Sequence, residues 1–480
     1  MVVQHNMQAA NANRMLNITT SAQSKSTEKL SSGYRINRAA DDAAGLTISE
    51  KMRKQIKGLD RASTNAEDGV SAVQTAEGAL TEVHSMLQRM NELATQSANG
   101  TNSSTDRKAI QDEIDQLTTE IDRVSETTKF NETYLLKGDG ADKAHNVNAH
   151  DAGIDGVTLT DKGDTVDVTL KTLNAGDKVS IAGKNYTIGA TGDGEAAFKK
   201  GLGHDTPTAG DTATLNGVEY KYYNAITANG ANKGTAAGWY SVDPSTLDNA
   251  TSAVTAEKET TAFYAEGATT KVGNQSFTVM KGADDGIDDN DSSIITAKKA
   301  YQLETAEILK ASNIGTDTAA TADKNTTDLA DATNKFTLTK GKVNYNDALS
   351  FNLHVGADAD MTNKITVNID SMNSAGLGIK GIKADTEQDA TYAIDAIADA
   401  ISTVSSQRSA LGAVQNRLEH TINNLDNVVE NTTSAESRIR DTDMAEEMVN
   451  YSKNNILAQA GQSMLAQANQ SNQGVLSLLQ

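Results

Sequence analysis

The 480-residue chain contains no cysteine and only two prolines, Pro207 and Pro244. Without cysteine there can be no disulfide framework and no thiol chemistry, an absence that suits a protein working outside the cell. Both prolines fall in the middle of the chain, so neither end carries a helix-kinking residue. Nowhere does an apolar run approach 18 residues, which excludes a membrane-spanning helix. Basic residues are in deficit: 43 Lys and Arg against 64 Asp and Glu leave a net charge of −21. Such a surface repels phosphate and argues against nucleic-acid or anionic-membrane partners. The opening MVVQHNMQAANANRM has neither a charged n-region nor an apolar h-region, so any export is expected by a route other than a Sec signal peptide. Aromatic residues are few and uneven. Of 19, 14 lie within 138–385, together with 27 of the 36 glycines. The ends and the middle are therefore different materials, and two to four domains are expected at this length.

What the ends do contain is apolar residues at heptad spacing. From Ile397, steps of seven reach Val404, Leu411, Leu418 and Leu425. A second row, Ile401, Arg408, Gln415, Ile422 and Val429, is apolar at both ends and polar in the middle. This alternation keeps one seam of a long helix facing a partner. The stretch 386–431 thus reads as a rod of roughly 65–70 Å at 1.5 Å per residue. Its partner lies near the other end of the chain, where Met52, Leu59, Ala66, Val73, Leu80 and Leu87 repeat the step beside Ile56, Val70, Val83 and Met90. Asp41 and Asp42 offer the cap for that helix, expected over 45–97, and the Asn- and Gly-rich run 99–104 stops it. Thr105 and Asp106 then cap a shorter helix with Ile110, Ile114, Leu117, Ile121 and Val124 on one face. At least three long helices are expected, in a bundle that closes the two ends of the chain on each other.

The outermost segments are poorer. The first forty residues hold nine large apolar side chains: Val2, Val3, Met7, Met15, Leu16, Ile18, Leu30, Tyr34 and Ile36. Their burial would contribute roughly 14–27 kcal/mol, whereas ordering forty backbones costs about 40–80 kcal/mol before helix hydrogen bonds are counted. Alone, this segment is expected to be disordered. After Arg440 the tail is similar material, with Met444, Met448, Tyr451, Leu457, Met464 and Leu465 spaced by Ala, Gln, Asn and Ser, ahead of Val475, Leu476, Leu478 and Leu479. It reads as a conditional helix with an apolar face meant for other copies of the chain. From Phe130 the period changes to two. Ile181/Tyr186/Ile188, Leu215/Tyr220/Tyr222 and Val272/Phe277/Val279 share one spacing, each followed early by Gly or Asn-Gly (Gly183, Asn216–Gly217, Gly273–Asn274), the form of a tight β-hairpin. One helix is expected at 292–312, and strands return at 335–355 and 364–369. The fold class is α+β: a long antiparallel helical bundle or coiled coil formed by the N- and C-terminal regions, with an inserted β-rich region. The expected domains are 1–41 with 441–480, 42–137 with 386–440, and 138–385 as a β-rich region of two subdomains.

No motif points to an enzyme. The run 376–381 spells G-x-G-x-x-G, but no second strand ending in an acid follows some twenty residues on, so turn chemistry is expected. The acidic run 284–291 lacks the sixth-position Gly and twelfth-position Glu of an EF-hand loop and reads as a solvated loop. The seven histidines never approach zinc-ligand spacing, and no G-x-S-x-G elbow occurs. Neither cofactor nor metal is expected.

At the front, LSSGYRINRAADDAAGLTISEKM (30–52), VQTAEGALTEVHSMLQRMNELATQSANGT (73–101) and EIDRVSETTKFNETYLL (120–136) form one distinctive set. At the back stand SSQRSALGAVQNRLEHTINNL (405–425), AESRIRDTDMAEEM (435–448) and ILAQAGQSMLAQANQSNQGVLSLL (456–479). In these runs both ends resemble bacterial flagellin, which polymerises into the flagellar filament. The resemblance covers roughly 1–137 and 386–480. It implies termini that pair as a coiled coil in the filament's inner tube and fold only on assembly. It also implies an outer helical tube from about 44–130 and 390–435, and a middle that projects outward. Export would run unfolded through the flagellar type III apparatus to the exterior, with other copies of the chain, an export chaperone and a filament cap as partners. Flagellins of this kind are ligands of Toll-like receptor five, and the family's receptor surface maps here onto Gln88, Arg89, Leu93 and Glu113. Many members carry Arg where this chain has Asn91, a departure that bears on affinity. A hook–filament junction protein shares the terminal design, but the dense match at the extreme C-terminus favours flagellin. The aromatic hairpins could meet glycans in a displayed adhesin; core packing is the expected use.

Overall fold

Helices occupy the two ends of the chain and strands its middle, an α+β arrangement. The computed structural model describes residues 6–191, 194–227, 236–244, 257–323 and 334–478. The helices are α1 (Met7–Ser32), α2 (Ala43–Ser97), α3 (Ser104–Thr127), α4 (Gly194–Leu202), α5 (Ala297–Ser312), α6 (Glu387–Arg440) and α7 (Met444–Leu478). Contacts divide the chain into two compact units, with the divisions inside α2, inside α6 and within the strands Leu349–His354 and Lys364–Ile369. One comprises the described residues of 1–74, 350–367 and 410–480; the other, those of 75–349 and 368–409.

In the first unit α2 and α6 run antiparallel. Glu50 pairs with Arg440 at 2.6 Å, Arg53 with Glu436 at 3.2 Å, and Ser63 Oγ donates to Asp426 at 3.1 Å, so numbers rise along one helix as they fall along the other. Val73, Leu411, Leu418 and Leu425 are buried. Met52 and Leu59 are only half-buried, because a seam of two helices covers a side chain from one side. A third element, the hairpin of Leu349–His354 and Lys364–Ile369, supplies the missing cover farther along. Its residues 350–367 belong to this unit, where Ile365 joins Ala66 and Leu418 in a buried cluster flanked by Leu353 and Val355. The Asn65 side chain donates to the His354 carbonyl at 3.0 Å. α6 also extends nine residues past the sequence expectation, ending at Arg440.

In the second unit Leu80, Leu87, Ile397 and Val404 are buried, with Ile110, Ile114 and Ile121 of α3. Arg408 faces Glu77 at 3.7 Å, the same antiparallel sense. α3 is capped two residues before the expected Thr105: Ser103 and Asp106 form a reciprocal capping box. The segment before α6 is laced along α3. Asp122 accepts the Ser374 amide at 2.7 Å, and the Gln111 side chain takes the Ala384 amide at 2.5 Å. The G-x-G-x-x-G run lies in this segment as turns: Gly378 and Gly381 have φ of +70° and +64°, and a Cβ on Gly376 would stand 2.2 Å from the Ser371 carbonyl.

All three hairpins of shared spacing form. Lys178–Ile181 pairs with Lys184–Ile188, Thr212–Leu215 with Val218–Tyr223, and Thr269–Val272 with Gln275–Thr278. Ala182–Gly183 and Asn216–Gly217 carry positive φ at both turn positions, the geometry that matches strand twist. The last two hairpins lie in a six-stranded antiparallel sheet over Phe198, Trp239, Phe263 and Phe277; the first joins a three-stranded sheet. α5 packs its Ala300, Tyr301 and Ile308 into a second core with Val168, Leu338 and Tyr392. It begins at Ala297 rather than 292, because Ile294–Ile295 adds a parallel strand beside Thr187–Ile188 and Thr296 then caps the helix. In the acidic run, Asp288 spends its carboxylate on the amides of Lys281, Asn290 and Asp291.

Candidate assembly surface

α1 and α7 lie antiparallel in the first unit. The Asn6 side chain donates to the Ala468 carbonyl at 3.2 Å, Lys29 stands 3.7 Å from Glu447, and a Cβ on Gly461 would touch Leu16 at 3.4 Å. Small residues mediate this approach: Ser26 and Ala458 are the buried ones among the described side chains. Leu16 and Leu465 are half-buried, but other large apolar residues lie open. Met7, Met15 and Ile18 recur at i, i+8 and i+11, which is one helix face, and are 68%, 58% and 57% exposed. On α7, Met444, Met448, Val449, Ile456, Leu457 and Met464 are exposed as well. Fully burying each such side chain contributes roughly 1.5–3 kcal/mol. Rows of them on two neighbouring helices mark a surface built for contact with another protein. The apolar residues Val2, Val3 and Leu479 lie outside the described residues, as do the side chains of Val475, Leu476 and Leu478.

A tight junction joins this pair to the long helices. Tyr34 bridges Asp441, the Arg35 amide donates to the Arg440 carbonyl at 2.7 Å, and the Thr442 amide to Gly33 at 3.0 Å. The Arg35 guanidinium also reaches the Ile439 carbonyl. Arg440 and Arg53 stand 4.8 and 5.8 Å from the centre of the Tyr34 ring. Two cations can share one ring because Glu50 and Glu436 neutralise them. Asp41 locks the approach: it accepts the amides of Arg38 and Asn37, and the Arg38 bond above all holds its carboxyl below the usual range. Nothing in the heptad pattern announces this junction. The signal was the density of Arg, Asp and Tyr in 34–42 and 436–443.

Of the four residues that the resemblance maps to a receptor surface, the second unit brings Arg89 and Glu113 together, while the Gln88 side chain meets His84 at 3.1 Å. Gln88 is exposed. Arg89 donates from Nε to Glu113 Oε1 at 2.9 Å and also meets Glu92 at 3.2 Å. These bonds, Glu113 first, raise the guanidinium's already high pKa. Leu93 departs from the expectation of an apolar group on that face, being only 2% exposed. A residue four along a helix sits about 40° around it, which here carries Leu93 into the buried stripe of Met90 and Ala94.

Comparison with known proteins agrees with the architecture. Residues 3–141 match the model of the bacterial flagellin N-terminal helical region and residues 394–479 that of the bacterial flagellin C-terminal helical region. A flagellin of Clostridium tyrobutyricum is 39% identical over 479 residues, covering 98% of this chain and all of that protein. One from Salmonella choleraesuis (strain SC-B67) is 35% identical over 500 residues, covering 97% and 96%. Among solved structures, FliC from Burkholderia pseudomallei is 17% identical, covers 73% of this chain and 99% of that one, and has a TM-score of 0.25.

Proposed function

This chain belongs to the bacterial flagellin family, structural proteins of the flagellum, and on that premise we propose that it is the subunit that polymerises into the filament. The observation that carries the reading is the exposed apolar faces of α1 and α7. In the free monomer these helices bury too little to offset their chain entropy; copies packed side by side supply the missing cover. Limited proteolysis is expected to trim about forty residues from each end of the monomer and to leave the filament intact. Equal resistance in both states would overturn the proposal. Secretion through the flagellar type III apparatus, assisted by an export chaperone and a filament cap, accords with the lack of cysteine. Loss of the extracellular protein in a strain without that apparatus tests it.

A second reading is that the monomer is a ligand of Toll-like receptor five through Gln88, Arg89 and Glu113. The three are exposed and Arg89 is bonded to Glu113, and Leu93 supports them from the core rather than meeting the receptor. Arg89→Ala should weaken both receptor binding, read by surface plasmon resonance on the monomer, and polymerisation. Leu93→Ala should lower thermal stability by about 2–5 kcal/mol. Unchanged receptor affinity in Arg89→Ala would remove the assignment.

A further inference from the structure

The second unit contains an ionisable group that neither filament assembly nor receptor binding uses. Glu304, midway along α5, is 2% exposed, and its Oε2 has no hydrogen-bond partner. It lines a cavity of 690 Å³ among α5, the strand Lys178–Ile181, the loop at 152–155 and the first turns of α6. A carboxylate buried without a partner is costly to ionise, and burial pushes the Glu304 carboxyl up to about 7. The neighbouring acids are already matched. Glu307 accepts from the Tyr392 hydroxyl and from Lys310, each at 2.7 Å; Asp155 meets Lys171 at 3.4 Å; Glu387 meets Arg107 at 3.8 Å. Lys178 on the cavity wall has no ion-pair partner among the described residues. Leu173 and Val179 give the wall an apolar part, and Ser180, Thr386 and Thr391 give it hydroxyls.

We propose that this cavity binds a small primary-ammonium ligand, with the Glu304 carboxylate as its counter-ion. An ammonium group supplies up to three donors, one for the Glu304 carboxylate and the rest for wall hydroxyls. A bound anion would stand beside a like charge. No group of three His, Cys, Asp or Glu among the described residues could hold a metal ion. The ligand needs the ionised acid, so below about pH 7 binding must first remove a proton, and affinity falls as pH falls.

Isothermal titration of the full-length monomer with free glycine, putrescine and glycerol, at pH 6 and pH 8, tests this. Saturable binding of glycine or putrescine at pH 8, about tenfold weaker at pH 6 and lost in Glu304→Gln, is the expected result. Glycine alone would assign a zwitterion whose carboxylate uses Lys178; putrescine alone would assign a simple amine. Carboxyl carbon NMR of the unsubstituted protein gives a second reading that does not depend on the variant folding. The ligand should lower the Glu304 titration midpoint by a unit or more. No saturation by either amine, equal binding of glycerol, binding unchanged in Glu304→Gln, or an unmoved midpoint would each overturn the proposal.

Discussion

Glycine inside a helix costs about 0.5–1 kcal/mol relative to alanine, yet α2 holds Gly58, Gly69 and Gly78 in its interior. Two of them have a reason in the hairpin that lies over the first unit. A Cβ on Gly69 would stand 2.2 Å from Leu353 Cδ1, and one on Gly58 would stand 3.0 Å from Ala357 Cβ. Around Gly78 and around Gly412 of α6 nothing lies within 4 Å, and nothing in the fold explains them. Gly69→Val should therefore destabilise the monomer by about 1–3 kcal/mol through the clash with Leu353, whereas Gly78→Ala should stabilise it by about 0.5–1 kcal/mol through helix propensity. Urea denaturation of the two variants, followed by circular dichroism, separates them. A Gly69→Val variant no less stable than the parent would mean that the hairpin does not dock as described.

At the scale of elements, the long helices are held by more than each other. Leu418 touches the seam and the hairpin at once, sharing a cluster with Ala66 and Ile365. Removing its side chain opens a cavity walled by three elements, which cannot all collapse into it. Leu418→Ala should cost roughly 2–5 kcal/mol, read as a fall in the thermal midpoint. A loss below half a kilocalorie would mean that the heptad row does not carry the packing. Leu59 of the partner row on α2, half-buried where the pair lies open, should lose less on the same truncation, since its site is partly open to water already.

For the whole molecule, the telling feature is where the inserted region begins and ends. The Val147 amide donates to the Gly341 carbonyl at 2.9 Å, and the adjoining strands Asp139–Asn146 and Lys342–Asp347 pair antiparallel from Asn146↔Lys342 onward. Residues 148–340 thus leave and re-enter at neighbouring points, so a tight turn can replace them. Deleting them with an Asn-Gly turn should leave a protein that still polymerises, visible by electron microscopy after seeding. Carrying the deletion on to residue 375 should abolish folding. It removes the hairpin that covers Ala66 and Leu418, together with Met372 and Ser374, which bond to Leu136 and Asp122. Assembly by the longer deletion would show that these contacts are dispensable.

The sequence by itself determined the long helices, the division of material between ends and middle, and the three hairpins. Each follows from a local rule: an apolar residue every 3.5 positions, a glycine or asparagine at a turn, a serine or aspartate at a cap. Period and turn chemistry act over a few residues, so they can be read without knowing the fold. Tertiary structure alone decided what depends on residues far apart in the chain. That Met52 and Leu59 stay half-open while Leu418 is sealed was set by a hairpin lying some sixty residues before Leu418 and three hundred after Leu59. Leu93 turned inward because the buried stripe proved wider than one heptad row, and Glu304 was left without a partner where a helix and a strand come together around a cavity. Burial and the pairing of charges are sums over neighbours in space, and no spacing along a chain contains that sum.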